Sequence, residues 1–270
     1  KGQAIIGGAF MGKKERIDKR IKRKRRKIVF IILLLLFGIF LVVSFKTTFF
    51  NISNIEVIGN KKISNDKVIK ASGNPMRENI FKVSSGEIEK NLKKHPYIKE
   101  AVVKRRLPNK LIIEIEERNE KFIISHGGSN VYLDVDGIVL KIDSEPNNKL
   151  TILKGANIDK PDVGYKITSE NEEFVDNILG FIDISNKTNL LNEINTIDVS
   201  NGDNIIMELK DGVLVDFGPL NNVEYKLRYI KEILNDLNVK DIPCRYIYLN
   251  KGENPIVVTD NEREDSNEEQ

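Results

Sequence analysis

The side chains able to carry chemistry are few and scattered. Two histidines, His95 and His126, and a single cysteine, Cys244, stand far apart in 270 residues. A zinc site needs clustered Cys and His ligands, and this set cannot supply the usual combinations. No metal site and no cofactor is expected. His95 falls at the end of a helix-like stretch, where a cation suits the dipole. Cys244 lies between Pro243 and a strand-like run, a setting for a small packed side chain rather than a reactive thiol. One cysteine also excludes an internal disulfide. No G-x-S-x-G elbow, P-loop or glycine-rich dinucleotide turn occurs. Carboxylates are plentiful, so paired-acid chemistry must be judged by placement. Glu114, Glu116 and Glu117 fall on the outer face of a strand, where solvation accounts for them. Asp134 and Asp136 sit in Asp-Val-Asp-Gly, too short for a calcium loop of about 12 residues, and read as a turn. No catalytic residue is assigned, and the chain reads as non-enzymatic.

The element that positions everything else is near the amino end. Eleven Lys and Arg residues fall between Lys13 and Lys27, opposed only by Glu15 and Asp18. From Ile28 to Phe45 the 18 residues are all aliphatic or Phe except Gly38 and Ser44. As a helix they cover roughly 27 Å, about the thickness of a hydrocarbon core. The run is longer than the apolar part of a signal peptide, and Ser44 to Phe50 offers no small-x-small cleavage site. A retained transmembrane helix over 28–45 is expected. The basic tail, residues 1–27, then faces the cytoplasm, and the rest lies outside the cytoplasmic membrane.

The formal charge of +3 hides an asymmetry. Residues 1–27 hold 12 of the 43 basic and 2 of the 40 acidic side chains, leaving 31 basic against 38 acidic beyond them, a net of −7. Beside a spanning helix the basic block is explained by topology and anionic headgroups, and no nucleic acid is expected as a partner. The last stretch, residues 260–270, is acidic and lacks apolar side chains, and is expected to be disordered.

Between these ends two α+β domains are expected. In residues 50–118, Phe50 to Gly59 alternates as a strand, with Ile52, Ile55 and Val57 inward. Ser64 caps a short helix to Lys70, and Ser84-Ser-Gly-Glu87 forms a capping box with Val83 and Ile88 as its staple. Ile98–Arg106 and Lys110–Glu117 then pair across Leu107-Pro108-Asn109. The order is β-α-α-β-β, with helices on one face of a three-stranded sheet.

Three phrases carry a resemblance: Ile55-Glu-Val-Ile-Gly-Asn60, Pro96-Tyr-Ile-Lys-Glu-Ala-Val-Val-Lys-Arg105, and Arg106-Leu-Pro-Asn-Lys-Leu-Ile-Ile-Glu-Ile-Glu-Glu-Arg118. The order resembles a POTRA domain, and the wording resembles the FtsQ/DivIB family of bacterial cell-division proteins. Where that family usually has a Pro and a small residue after Glu-Arg, this chain has Asn119-Glu-Lys.

Residues 119–259 read as a β-rich domain with flanking helices. Strands are expected at Phe122–Ser125, Val131–Asp134 and Ile138–Ile142. Ser169-Glu-Asn-Glu172 reads as a capping box opening a helix through Phe174, Ile178, Phe181 and Ile182. A meander follows over Ile197–Val199, Asn204–Leu209 and Val213–Phe217, turning at Lys210-Asp-Gly212. A helix from Val223 to Leu237 carries Leu227, Ile230, Leu234 and Leu237 as its core stripe, and Arg245–Leu249 and Pro255–Thr259 close the domain. The resemblance extends here over Tyr132 to Val139, Gly212 to Pro219 and the Lys226-Leu-Arg-Tyr-Ile230 helix.

What the resemblance implies is a non-enzymatic divisome scaffold. Such proteins gather FtsL- and FtsB/DivIC-type partners outside the cytoplasmic membrane and support the septal peptidoglycan synthase complex. Their partner docks on the last helix and closing strands, which maps the contact to Lys226 and Arg228 and to the segment Leu249–Val258, with Lys251, Ile256 and Val258 at it. The alternative reading is a membrane-anchored cell-wall-binding protein or cell-wall enzyme.

Overall fold

The structure is a computed structural model that describes residues 4–252 and 254–259. The acidic tail expected at residues 260–270 lies outside the described residues. The fold is α+β: an apolar amino-terminal helix, a β-α-α-β-β domain, then a large mixed sheet with helices.

Helix α1 (Ala4–Lys46) runs unbroken from the basic stretch through the apolar one. The apolar span expected at 28–45 lies within it, and the helix extends back through the basic segment. The helix starts earlier because Lys, Arg and Glu are good helix formers and no proline interrupts residues 4–28. Its part from Ile21 to Lys46 is the one segment, among the described residues, long and apolar enough to cross a membrane, and its most apolar 18 residues have a mean hydropathy of 3.3.

Strand β1 (Asn54–Ile58), α2 (Asn65–Ala71), α3 (Ser85–Leu92), β2 (Ile98–Arg106) and β3 (Lys110–Glu117) follow in the expected order. The strands form one sheet in the order β1-β3-β2, with β1 parallel to β3. Strand β1 is shorter than expected because Thr48–Phe50 makes a 3-10 turn, leaving buried Ile52 just ahead of the ladder. At the start of α3 the Ser84 hydroxyl accepts from the Glu87 N–H at 3.3 Å, and Val83 and Ile88 are both buried.

The remaining strands and α-helices are β4 (Phe122–His126), β5 (Ser129–Leu133), β6 (Val139–Asp143), β7 (Thr151–Lys154), α4 (Glu172–Lys187), β8 (Ile194–Asp198), β9 (Ile205–Leu209), β10 (Leu214–Gly218), α5 (Val223–Lys240), β11 (Cys244–Tyr248) and β12 (Ile256–Thr259). The strands make a nine-stranded mixed sheet in the order β12-β11-β10-β9-β8-β7-β4-β5-β6. Strand β7 was not foreseen, and it joins β4 and β8 by parallel pairing on both sides. The cap of α4 is Asn171, whose side chain accepts from the Phe174 N–H, and not the expected Ser169.

By proximity of their backbones the described residues fall into two compact units. One comprises the chain up to Ile58 with Asn65–Glu89 and Val102–Glu114; the other comprises Gly59–Ser64, Lys90–Ala101 and everything from Ile115 on. In the second unit α4 and α5 cover one face of the large sheet. Val175, Ile178, Phe181 and Ile182 of α4 and Leu227 and Ile230 of α5 share a core with Phe122, Leu153, Ile197, Met207, Val215 and Ile247.

Candidate partner-binding edge

Strand β12 ends the sheet, so among the described residues one side of its backbone has no ladder partner. Its other side pairs antiparallel with β11, matching Tyr246 to Val258, Ile247 to Val257 and Tyr248 to Ile256. Alternation decides the faces. Ile247 is buried in the helix-covered core, while Tyr246, Tyr248, Ile256 and Val258 share the opposite face.

That face changes character along the sheet. At β4 and β5, Ile123 and Tyr132 are buried. Towards β12 it opens, with Ile206 43%, Tyr246 39% and Ile256 45% exposed. Tyr246 and Tyr248 stack with ring centres 6.0 Å apart and planes 10° from parallel, and the Lys251 ammonium sits 4.0 Å above the Tyr248 ring. Exposed apolar and aromatic side chains beside an open ladder are the means by which a sheet accepts an extended segment.

Two local devices hold this edge in place. Asn250 donates from Nδ2 to Asp216 Oδ1 at 2.8 Å and to Asn204 Oδ1 at 2.9 Å, and the Leu249 N–H donates to the Asp216 carbonyl at 2.9 Å. The loop leaving β11 is thus tied to β10. Lys226 on α5 donates to the Phe217 carbonyl at 3.1 Å and the Pro219 carbonyl at 2.9 Å, with its ammonium 4.8 Å from the Phe217 ring centre. Burial pushes the Lys226 pKa below its ordinary value.

The five residues expected at the contact therefore separate into kinds. Ile256, Val258 and Lys251 belong to the edge itself, and Arg228 is exposed on α5. Lys226 is engaged with β10. Tyr246 and Tyr248 lie outside the segment expected at the contact, and Asn250 lies within it without having been singled out. The two tyrosines are legible as a period of two around Ile247, whereas Asn250 carries no signal in its neighbours.

A second group of ionisable side chains lies within the second unit. Arg118 donates to Asp134 and, at 2.9 Å, to Asp136; Lys99 pairs with Asp136 at 3.1 Å. The Tyr97 hydroxyl donates to Glu120 at 2.6 Å, and Lys62 pairs with Glu120 at 3.3 Å. Glu117, expected to be merely solvated, instead accepts the backbone N–H groups of Lys61, Lys62 and Ile63 at 2.9, 2.8 and 2.9 Å. Asp134 Oδ1 accepts from the N–H groups of Asp136 and Ile138, as the turn reading requires.

Burial pushes Glu117, Glu120 and Asp136 up, yet all three are held below their ordinary values. Three backbone donors outweigh burial at Glu117, the Tyr97 hydroxyl and Lys62 do so at Glu120, and Lys99 and Arg118 do so at Asp136. A folded value below the unfolded one means that the ionised form stabilises the fold. The stabilisation is complete above the ordinary values of 4.5 for Glu117 and 3.8 for Asp136, and it is lost as pH falls through the lower folded values. Urea midpoints measured from about pH 6 to about pH 3 should therefore drop on the acid side. In Glu117→Gln that drop should be shallower, because an amide has no proton to gain there. Identical acid slopes would remove Glu117 from the account.

Known proteins with similar sequences settle the kinship. An FtsQ-type POTRA family model matches residues 50–118, and the model for the carboxy-terminal part of cell division protein FtsQ/DivIB matches residues 122–250. Cell division protein DivIB of Clostridium tetani is 30% identical over 75% of this chain and 70% of its own. The chain belongs to the FtsQ/DivIB family.

DivIB of Clostridium botulinum is 29% identical over 88% of this chain and 93% of its own, and DivIB of Bacillus anthracis is 34% identical over 52% of each. A solved structure of the major extracytoplasmic domain of DivIB from Geobacillus stearothermophilus covers 46% of this chain and 97% of its own at 16% identity, with a TM-score of 0.30, too low to bear on the architecture. With its FtsQ/DivIB kinship and one apolar amino-terminal helix, the chain is a cell-division protein that spans the membrane once.

Proposed function

We propose that this FtsQ/DivIB protein is a non-enzymatic divisome scaffold that captures FtsL- and FtsB/DivIC-type partners by strand addition at β12. The observation that carries the reading is the open edge of the large sheet, flanked by exposed Ile256 and the stacked Tyr246–Tyr248 pair. The basic segment faces the cytoplasm, the two domains bounded at residues 50–118 and 119–259 lie outside the cytoplasmic membrane, and the protein acts at the septum with the peptidoglycan synthase complex. Backbone pairing supplies affinity, while Ile256, Val258 and the tyrosines read the partner's alternate side chains. Lys251 and Arg228 add charge at the rim, and Lys226 acts by holding the start of α5 against β10.

Proline cannot donate to a ladder. Ile256→Pro in the full chain should weaken capture of an FtsB/DivIC-type segment by about tenfold or more, equivalent to about 1.4 kcal/mol. The thermal transition of the remainder should stay in place. Undiminished capture by a folded Ile256→Pro chain would remove β12 as the docking strand. Binding or hydrolysis of purified peptidoglycan by the same chain would favour the cell-wall reading instead.

A further inference from the structure

The membrane helix is expected to end at the lipid interface, where its last carbonyls lack partners within the helix. Thr47 satisfies one, donating from Oγ1 to the Val43 carbonyl at 2.7 Å. The next is satisfied from a distant part of the chain. The Ser44 carbonyl accepts from Asn79 Nδ2 at 2.7 Å, and both residues are buried although the helix before them is bare. Asn79 Oδ1 in turn accepts from the Phe81 N–H at 3.0 Å.

Aromatic rings gather around this bond. The Phe81 ring centre lies 6.0 Å from that of Phe45 and 5.1 Å from that of Phe50, and Phe50 meets Phe49 edge-on at 5.0 Å. The backbones are also joined. The Ile80 N–H donates to the Phe50 carbonyl at 2.9 Å, the Ile52 N–H to the Glu78 carbonyl at 2.8 Å, and the Arg77 N–H to the Ile52 carbonyl at 2.8 Å. All of these groups belong to the first unit, the one that contains α1.

Depth follows from contact. If residues 28–45 span the hydrocarbon, Ser44 and Phe45 sit at its boundary, and side chains touching them sit there too. We propose that Asn79 and Phe81 clasp the end of α1 and seat the first unit on the lipid interface. Phe45, Phe49, Phe50 and Phe81 form an apolar collar at the top of the acyl chains. Phe49, 65% exposed in the protein alone, is covered by lipid rather than water. Lys46 and Lys82, exposed and next in sequence to Phe45 and Phe81, meet the headgroup phosphates. A slack tether would leave the Ser44 carbonyl to water and the rings in solvent. The inference holds whichever side of the membrane the unit occupies, and it is independent of partner capture at β12.

The sequence contains no tryptophan, so one introduced indole is the sole such reporter. The full chain carrying Phe81→Trp is placed in phosphatidylcholine–phosphatidylglycerol vesicles, with and without lipids brominated near the top of the chains. Expected are a blue-shifted emission and loss of most of it to bromine. Val239→Trp, on α5, should emit to the red and resist quenching. Adding Asn79→Ala to Phe81→Trp should shift the emission to the red and reduce quenching while the far-ultraviolet circular dichroism is kept. Phe50→Trp repeats the depth measurement at a neighbouring ring, should either variant misfold. Emission from Phe81→Trp and Phe50→Trp that matches Val239→Trp would overturn the proposal, as would full quenching that survives Asn79→Ala.

Discussion

Phe217→Ala is expected to cost about 3–5 kcal/mol, the range for removing a large buried aromatic side chain. Phe217 is fully buried and meets Phe181 of α4 edge-on, with ring centres 5.2 Å apart. It also lies beneath the Lys226 ammonium at 4.8 Å. One ring thus joins α4, the strand β10 and the first turns of α5, and no single neighbour can fill the space it leaves. The loss is measured as a fall in the urea midpoint at unchanged slope. Phe217→Leu keeps much of the volume and should recover a large part of it. A cost for Phe217→Ala under about 1 kcal/mol would mean that the two helices close over the gap, and that α5 is not held by this ring.

Arg118→Met should approach the same size through a different cause. Asp134 is buried, and Arg118 is its cationic partner. Removing the guanidinium leaves a buried carboxylate whose charge is answered only by the N–H groups of Asp136 and Ile138. Breaking one side of a buried ion pair costs about 3–5 kcal/mol because the remaining charge is uncompensated. Arg118 is partly exposed, so the lower end is expected. Asp134→Asn in the same chain should restore part of the stability, and the two-residue cycle measures how much belongs to the pair. Additive losses would show that Arg118 contributes by packing alone.

These two positions also mark where the sequence was and was not readable. Elements with a clear period were legible. The hairpin of β2 and β3 follows from alternation on both sides of Leu107-Pro108-Asn109, and the buried side of α5 follows from Leu227 and Ile230. Strand β7 carried no such signal: it has four residues and is held by parallel partners distant in sequence. Parallel joins are set by crossovers that pack as layers, so the order of the nine strands could not be read from local pattern. The cap of α4 moved from Ser169 to Asn171 because two capping residues two positions apart can each serve, and the backbone path chooses between them.

The candidate edge was legible in place more than in detail. Ile256, Val258 and Lys251 lie on the strand and loop that the family resemblance indicates. Lys226 reads in sequence as a surface cation, yet its stem reaches back to two carbonyls of β10's end and the turn after it. Glu117 falls in phase with the buried Leu111, Ile113 and Ile115, although as a carboxylate at the strand's end it reads as merely solvated. A turn of backbone from residues 61–63 meets it there, a contact across more than fifty residues that no periodicity encodes.

The parallel pairing of β11 with β10 bears on how the protein is made. Strand β11 reaches β10 only after α5 has been laid down, and β12 follows β11. A chain emerging from the ribosome therefore offers β10 as the temporary margin of its sheet, with Leu214 and Asp216 facing the places that Tyr246 and Tyr248 will later take. That margin bears neither the stacked tyrosines nor the Ile256 flank. An assembly that waits on β12 would admit only chains whose synthesis has passed Thr259.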